Sequence, residues 1–264
     1  MEIVPAFVAD PCQGQGGVRR AVILALLALL AVPARAERQV PLSVLPGVGP
    51  EDRRRPVDPE KAPWRGLGRV QLEIGGRCTG TLVGPRTVLT AAHCLVARRT
   101  GRPVQPGTVH FLLGYHQGGW TAHARVVAYR LGPGYDSASR RPPGADWALL
   151  TLERPIGGPD RILPLRREAP AAGKPLVLGG YQQDRPEVLL ADTACRMLGL
   201  SRDPAGLVLL VHDCVGTRGA SGAPLLARAE DGRWAVVGVA SATALKVARG
   251  VAVPARAIGP LPVP

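Results

Sequence analysis

Short apolar runs separated by turn residues are the feature that most limits what this chain can fold into. Runs of four to eight residues are bounded by glycine, proline or polar residues, among them RVQLEI, TVHFLLGY, WALLTL, KPLVLGGY, GLVLLVHD and WAVVGVAS. Such runs indicate β-strands, and their regular spacing is typical of an antiparallel barrel or sandwich. A short helix is predicted only over residues 91–99. The sequence therefore predicts an all-β protein, and 46% apolar residues suffice for a buried core.

The strong positive charge of the chain, a formal +13, comes almost entirely from arginine. Only Lys61, Lys174 and Lys246 contribute as lysines, and the arginines are scattered along the sequence. A nucleic-acid surface requires clustered basic residues together with aromatic side chains that stack on bases. Aromatic residues make up only 4% of this chain. We therefore expect no nucleic-acid partner.

The first 36 residues have the layout of a secretory signal peptide. Arg19 and Arg20 precede an apolar run over residues 21–32, and a small-x-small pattern follows at residues 34–36. The run is shorter than the roughly 20 apolar residues that a membrane-spanning helix needs, so a membrane anchor or a buried helix is the weaker interpretation. We predict cleavage after Ala36 and an exported protein, periplasmic or secreted, without a stable membrane span.

The segments on either side of this signal are less regular. Residues 1–17 lack targeting character, and Val18 directly precedes the arginine pair. We therefore expect translation to start at the Val18 codon. Residues 37–63 are rich in proline, glycine and charge, without helical or strand periodicity. We interpret them as a loop-rich extension or a pro-segment, and we expect the folded part to begin near Trp64.

Cysteine usage points to disulfide bonds. Loss of the signal peptide would remove Cys12 and leave four of the five cysteines. An even number in an exported chain indicates disulfides, and four cysteines allow three connectivities. We favour the two pairs that close short loops, Cys78–Cys94 and Cys195–Cys214. The alternative is a zinc site built from all four, but no two lie two to four residues apart, as zinc ligands usually do. We therefore expect no metal.

Three polar residues stand at the ends of apolar runs. They are His93 in VLTAAHC, Asp146 in DWALLTL and Ser221 in GASGAPLL. A serine hydroxyl needs an imidazole to accept its proton, and the imidazole needs an acceptor that fixes its tautomer. Each residue alone also fits a plain role, as a buried histidine, a capping aspartate or a turn serine. Together they supply the set that nucleophilic catalysis requires.

The sequence around these residues resembles the chymotrypsin-like serine peptidases, in particular bacterial secreted members related to the glutamyl endopeptidases. CTGTLVGPRTVLTAAHC is similar to the stretch that ends in the catalytic histidine, DWALLTLERPI to the aspartate strand, and GASGAPLL to the nucleophile loop. The similarity covers residues 64–257. It implies two antiparallel β-barrels, over residues 64–158 and 159–264, with the active site in the cleft between them.

The resemblance also implies a role for each site residue. His93 would be the general base and then the acid, Asp146 its orienting partner, and Ser221 the nucleophile. The backbone N–H groups of Gly219 and Ser221 would form the oxyanion hole. The implied reaction is peptide-bond hydrolysis through an acyl-enzyme, on a protein or peptide substrate and without a cofactor. We expect a monomer.

Two positions depart from the family pattern. Animal members have an aspartate just before the nucleophile, which pairs with a new N-terminal amine after activation; here this residue is Ala220. A trypsin-like enzyme has an acid about six residues before the nucleophile, and this chain has Val215. Glutamate-cleaving relatives use a histidine where Ala240 aligns. We therefore expect a small or apolar residue before the scissile bond, in a pocket lined by Val215, Ser241 and Thr243.

An inactive homologue, acting as a binding or regulatory protein of the cell envelope, is the alternative function. Inactive members usually lack one of the three catalytic residues, so the complete set favours an enzyme. The other histidines are expected to be structural or solvent-facing, namely His110, His116, His123 and His212.

Overall fold

The computed structural model describes residues 45–245 and 247–262, which belong to one compact unit, Val40–Pro264. The predicted signal peptide with its cleavage site, and residues 37–44 of the predicted extension, lie outside the described residues. Over the part that is described, no helix has the length and apolar character needed to cross a membrane.

Six antiparallel strands close into a first barrel. They are β2 Leu67–Leu72, β3 Arg77–Gly84, β4 Thr87–Thr90, β5 Val109–Leu113, β6 Ala122–Leu131 and β7 Ala148–Leu152. The order around the barrel is β2-β3-β4-β7-β6-β5, and β5 pairs with β2 to close it. Strand β7 is apolar except for the partly buried Thr151, because both of its faces pack against apolar clusters. Ala148, Leu150 and Leu152 pack inside this barrel, whereas Leu149 packs in the cluster between the barrels.

Six further strands form the second barrel. They are β8 Pro175–Gln182, β9 Arg185–Arg202, β10 Val208–His212, β11 Pro224–Arg228, β12 Trp234–Thr243 and β13 Gly250–Pro254. The order is β9-β10-β13-β12-β11-β8, and the pairing of β8 with β9 closes the ring. A two-residue strand, β1 Arg55–Pro56, pairs with β9 from outside the ring. The prediction of an all-β protein with two antiparallel barrels is confirmed.

The helices of the described residues are single 3-10 turns. They are Trp64–Gly66, Ala92–Leu95, Pro106–Thr108, Pro143–Ala145 and Ala255–Ala257. The helix predicted over residues 91–99 is therefore reduced to the turn Ala92–Leu95. Two of these turns, Ala92–Leu95 and Pro143–Ala145, carry or precede the residues of the candidate site.

An apolar cluster between the barrels fixes their mutual position. It combines Tyr115 and Trp147 of the first half with Tyr181 and Val253 of the second, and all four are buried. The Tyr181 hydroxyl donates a hydrogen bond to the Tyr115 carbonyl over 2.9 Å. Side chains in such a close-packed interface transmit strain and leave little freedom for sliding. The cleft between the barrels is therefore a rigid place for a site.

Buried contacts begin before Trp64, where the sequence led us to expect the fold to begin. Leu45 and Val48 are buried, and only 3% of Arg54 is exposed. Strand β1 adds backbone pairing to β9. This packing leaves no periodic signal in the sequence, because isolated apolar residues, charged side chains and backbone groups make the contacts. Residues 45–57 are thus attached to the second barrel as part of its surface.

Candidate active site

His93 lies in the 3-10 turn Ala92–Leu95 that follows β4. Its neighbour Cys94 forms a disulfide with Cys78 of β3, across a sequence separation of 16. This bond ties the backbone of the turn to the adjacent strand. About a fifth of the His93 side chain is exposed, so the ring reaches the cleft. The second disulfide joins Cys195 to Cys214, and both pairs are those favoured from the sequence.

Asp146 follows the 3-10 turn Pro143–Ala145 and precedes β7, whose apolar residues anchor it from the C-terminal side. Its carboxylate is nearly buried, and both oxygens contact His93. Asp146 Oδ2 lies 2.7 Å from His93 Nδ1, and Asp146 Oδ1 accepts the backbone N–H of His93 over 2.9 Å. Because a carboxylate is only an acceptor, the proton in the first contact is on His93 Nδ1. The other ring nitrogen is therefore free to accept a proton.

The electrostatics of Asp146 keep it ionised. Burial alone would raise the pKa of this carboxyl, but the hydrogen bonds and positive potential of His93 and a hydrogen bond from Ser241 together hold the pKa below its ordinary value. The Ser241 hydroxyl donates to Asp146 Oδ2 over 2.5 Å. A negative carboxylate at this place stabilises the imidazolium that forms when His93 takes a proton.

Ser221 lies in the nucleophile loop, residues 213–223, between β10 and β11. Thr79 of β3, in the first barrel, makes two hydrogen bonds to this loop. The Thr79 backbone N–H donates to the Ser221 carbonyl over 2.9 Å, and the Thr79 hydroxyl donates to the Gly219 carbonyl over 2.9 Å. Cys78, next to Thr79, is bonded to the neighbour of His93. The histidine turn and the serine loop are thus fastened to the same short piece of β3.

Sequence reasoning did not single out Thr79. Its only signal was its position after Cys78 in the CTGT motif. Thr79 is fully buried, and its backbone carbonyl also accepts a hydrogen bond from Thr90 over 2.8 Å. Among the hydrogen bonds of the described residues, none ends on the Ser221 hydroxyl. The Ser221 carbonyl lies 3.8 Å from the sulfur of Cys94, so the backbone of Ser221 is close to the residue that follows His93.

The backbone donors of the nucleophile loop are unevenly satisfied. Within residues 213–223, three N–H groups have no acceptor among the residues that the structure describes, those of Arg218, Gly219 and Ser221. The Arg218 carbonyl accepts the N–H of Gln183 over 2.7 Å. Because the C=O and N–H of a trans peptide point in opposite directions, this bond turns the Gly219 N–H away from Gln183. An oxyanion hole consists of donors, commonly backbone N–H groups, that have no other acceptor, and among the described residues the N–H groups of Gly219 and Ser221 meet this requirement.

Gly219 is required by the path of the loop. Its φ is +94°, and a Cβ atom there would collide with the backbone oxygen of Tyr181. Glycine alone adopts such angles without steric cost. Backbone geometry therefore explains why the residue that carries this unpaired donor is a glycine.

The three residues expected to line the specificity pocket have different surroundings. Val215 is fully buried in a cluster with Leu45 and Val48, so it lies beneath the cleft surface. The Ser241 hydroxyl is bound to Asp146. Thr243 is half-buried, and Gly47 (φ +79°) passes so close to its Cβ and to the Gly216 carbonyl that no Cβ would fit. Residues 45–48 thus cross the region between the walls of the expected pocket.

Two further features of the site are structural. Cys78, His93 and Cys94 have donor atoms within 4.8 Å of one another, but both sulfurs are bonded in the disulfide and hence not thiolate ligands. His212 is 1% exposed, and its Nδ1 accepts the N–H of Cys214 over 3.2 Å. Burial lowers the pKa of His212 to about 4, against the raising effect of Asp213 and Asp192. His212 is therefore a neutral, buried residue at the base of the loop.

An all-β fold of two closed barrels, in which a buried aspartate holds a histidine ring, is typical of the chymotrypsin-like class of serine peptidases. The chain belongs to the trypsin-like peptidase domain family, which matches residues 78–239. This range includes His93, Asp146, Ser221 and both disulfides.

Two comparisons find similarity to glutamyl endopeptidases. It is 35% identical over 130 residues to the glutamyl endopeptidase of Bacillus licheniformis, a match that spans 47% of this chain and 37% of the relative's length. The fold is similar to a solved structure of a Glu endopeptidase in complex with MPD, with a TM-score of 0.66 and 19% sequence identity. That similarity covers 79% of this chain and 93% of the other.

Proposed function

We propose that this chain is a serine endopeptidase that hydrolyses peptide bonds with His93, Asp146 and Ser221 as its catalytic residues. The observation that carries the proposal is the double contact of Asp146 with His93. One carboxylate oxygen fixes the tautomer and the other holds the backbone, so His93 Nε2 is left free to act as a base. Membership of the trypsin-like family supports the same chemistry.

The reaction begins with attack by Ser221 on the scissile carbonyl. As the bond between Ser221 Oγ and the carbonyl carbon forms, the hydroxyl proton moves to His93 Nε2 and the carbonyl π electrons move to the oxygen. When this tetrahedral intermediate collapses, the C–N bond breaks and His93 gives its proton to the leaving amine. Water then attacks the acyl-enzyme by the same steps in reverse order, which releases the acid and restores Ser221.

The negative oxygen of the intermediate needs donors that are already in place. The N–H groups of Gly219 and Ser221 have no protein acceptor within the described residues, and the Arg218 carbonyl is fixed by Gln183. Donors that need no reorganisation are worth most, and loss of one typically costs about 10²–10³ in rate. We infer that these two groups bind the oxyanion.

For the specificity of the enzyme we propose a small or apolar residue before the scissile bond. Val215 contributes no charge, and its cluster with Leu45 and Val48 is apolar. Gly47 lies against Gly216 and Thr243, which leaves little depth for a long side chain. The relatives are glutamyl endopeptidases, yet Ala240 stands where glutamate-cleaving relatives have a histidine, so we do not extend a glutamate preference to this chain.

We further propose that the protein is exported, into the periplasm or the medium, after cleavage behind Ala36. The disulfides Cys78–Cys94 and Cys195–Cys214 support this proposal, because such bonds persist in oxidising compartments. Mass spectrometry of the protein recovered from the cell envelope and medium would test it by locating the mature N-terminus.

A peptide library with every residue type before the scissile bond tests the function and its specificity together. We expect cleavage after small or apolar residues by the wild type, and none by Ser221→Ala. Cleavage that survives in Ser221→Ala would refute the catalytic assignment. Preferred cleavage after glutamate would refute the specificity alone. Binding of peptides without cleavage by folded wild type would favour the binding-protein alternative.

A further inference from the structure

The nucleophile loop lacks the activation ion pair of the animal enzymes, because Ala220 has no charge. Its backbone is nevertheless held at three consecutive N–H groups. Val215 donates to Asp192 Oδ2 over 2.9 Å, Gly216 donates to the Gly47 carbonyl over 3.2 Å, and Thr217 donates to Gln182 Oε1 over 2.9 Å. The unpaired donors of Gly219 and Ser221 follow directly along the chain.

Each of the three acceptors depends on the segment of residues 45–56. The Gly47 carbonyl belongs to that segment. Asp192 is fully buried, and its Oδ2 receives Arg53 Nη2 over 2.9 Å. The same Arg53 nitrogen donates to the backbone carbonyl of Asp213, inside the nucleophile loop, over 2.7 Å. Arg53 therefore contacts both the loop and the carboxylate that holds it.

Arg54 holds the third acceptor, the side chain of Gln182, in the same way. Its Nη1 donates to Gln182 Oε1 over 2.8 Å, the same oxygen that accepts the Thr217 N–H. The guanidinium is itself held by Asp52 and Asp184 over 2.8 and 2.9 Å. Two donors on one amide oxygen fix the orientation of the Gln182 side chain. Arg54 thereby fixes where Thr217 is anchored.

We propose that residues 45–56 hold the nucleophile loop in its catalytic geometry, with Arg53 and Arg54 as positioning residues, in place of the missing activation ion pair. The inference rests on the proposed function of Ser221. It also sets a limit on maturation: cleavage after Ala36 leaves residues 45–56 in place, whereas removal of residues up to Arg54 would take away the Gly47 acceptor and the arginine partners of Asp192 and Gln182.

Arg53 is the better of the two arginines for a test, because its charge balances a fully buried carboxylate, that of Asp192. A fully buried carboxylate without its cation is strongly unfavourable, so Asp192 in an Arg53→Met variant would move or admit water, and the Val215 N–H would lose its fixed acceptor. Misplacement of a catalytic loop by about 1 Å can cost about 10²-fold in rate. We expect a loss of about tenfold, because Gly47 and Gln182 still hold the loop.

The experiment measures the labelling of Ser221 by a fluorophosphonate, resolved into the limiting rate kinact, the affinity constant KI and the labelled fraction. Arg53→Met should lower kinact about tenfold with KI unchanged, and Arg53→Lys should be intermediate because an ammonium offers a single donor point. Arg161→Met is the matched control. Arg161 is a partly buried arginine in the connection between β7 and β8, and its ion pair with Glu60 ties residues 45–63 to that connection. Among the described residues it makes no hydrogen bond to the nucleophile loop. It should stay within twofold of wild type.

Arg54 is buried, so its replacement risks unfolding the chain; variants of Gln182 therefore test that half of the device. Gln182→Glu keeps the acceptor for both Arg54 and Thr217 and should retain kinact, whereas Gln182→Met removes it and should lower kinact. This pair also decides the matter if Arg53→Met does not fold. A fall of kinact by threefold or more in folded Arg53→Met or Gln182→Met supports the proposal.

Two results would overturn it. The first is a smaller change of kinact in these variants. The second is a reduced labelled fraction with unchanged kinact, because a merely structural role lowers the amount of competent protein and leaves the rate of the competent fraction alone. Failure of the proposed function looks different, since the folded wild type itself would then remain unlabelled.

Discussion

Asp146 forms two hydrogen bonds with His93, one through Oδ2 to the ring and one through Oδ1 to the backbone N–H. The first contact selects the tautomer, and the second fixes the turn that carries the ring. A single carboxylate therefore controls both the protonation pattern and the position of the base. Ser241 adds a third hydrogen bond, which supports the ionised form of the carboxylate.

Asp146→Asn should abolish most of the activity while the fold survives. An amide of the same size keeps the packing but can present an N–H to His93 Nδ1, which would leave the proton on the wrong ring nitrogen. We expect kcat to fall by about 10⁴-fold. Steady-state hydrolysis of a peptide substrate measures the change. The matched control is Asp231→Asn, an exposed aspartate paired with Arg233 far from the cleft, which should retain activity. Near-normal kcat in Asp146→Asn would contradict the role given to this carboxylate.

Gly219→Ala should damage the oxyanion hole. The added Cβ collides with the Tyr181 carbonyl at a φ of +94°, so the peptide that carries the Gly219 N–H must rotate. We expect kcat to fall by about 10²-fold or more. Gly107→Ala provides the control, because Gly107 has open space around its Cα and lies in the 3-10 turn Pro106–Thr108. Equal kcat values for the two variants, both folded, would count against the assigned oxyanion donor.

His212 should make the fold sensitive to mild acid. Its ordinary pKa is 6.5, and burial lowers the pKa to about 4 in the folded chain. Between these values the unfolded chain binds more protons, so the free energy of unfolding falls as the pH decreases from 6.5 to about 4. The slope from this one group is at most about 1.4 kcal/mol per pH unit.

His212→Asn isolates that contribution. Asparagine can still accept the Cys214 N–H but does not titrate. Urea unfolding at several pH values should show a shallower loss of stability below pH 6.5 in the variant than in wild type, because the other acidic groups are common to both. Identical slopes of unfolding free energy against pH in the two proteins would show that His212 is not buried and neutral in the folded chain.

The fold and both disulfide pairs could be predicted from the sequence because local patterns encode them, and patterns of the same kind mark the expected site residues. WALLTL is apolar apart from one threonine because both faces of β7 are buried. The residues around His93 and Ser221 also stand in contiguous motifs. The number of cysteines and their separations in the sequence favoured the two short-loop pairs that the structure contains. In each case the residues that determine the feature are close together in the chain.

The remaining features depend on contacts between residues distant in sequence. Arg53 meets Asp192 across 139 positions, and Thr79 meets Gly219 across 140. Nothing in the spacing of the sequence indicates such pairs. The proline- and glycine-rich character of residues 37–63 suggested a loop-rich extension. The packing of residues 45–56 was not predictable because it relies on backbone groups and single arginines, which leave no periodic pattern in the sequence. Val215 was expected at the pocket surface, yet Leu45 and Val48 cover it.

Reaction with a fluorophosphonate tests most directly whether Ser221 is a nucleophile that His93 activates. Folded, mature protein is treated with the reagent, and the modified residue is located by peptide mass spectrometry in wild type, His93→Ala and Ser221→Ala. We expect a single label on Ser221 in wild type, a loss of labelling in His93→Ala despite the intact serine, and none in Ser221→Ala. Folded wild type that stays unlabelled, or a Ser221 that reacts equally fast without His93, would contradict these roles.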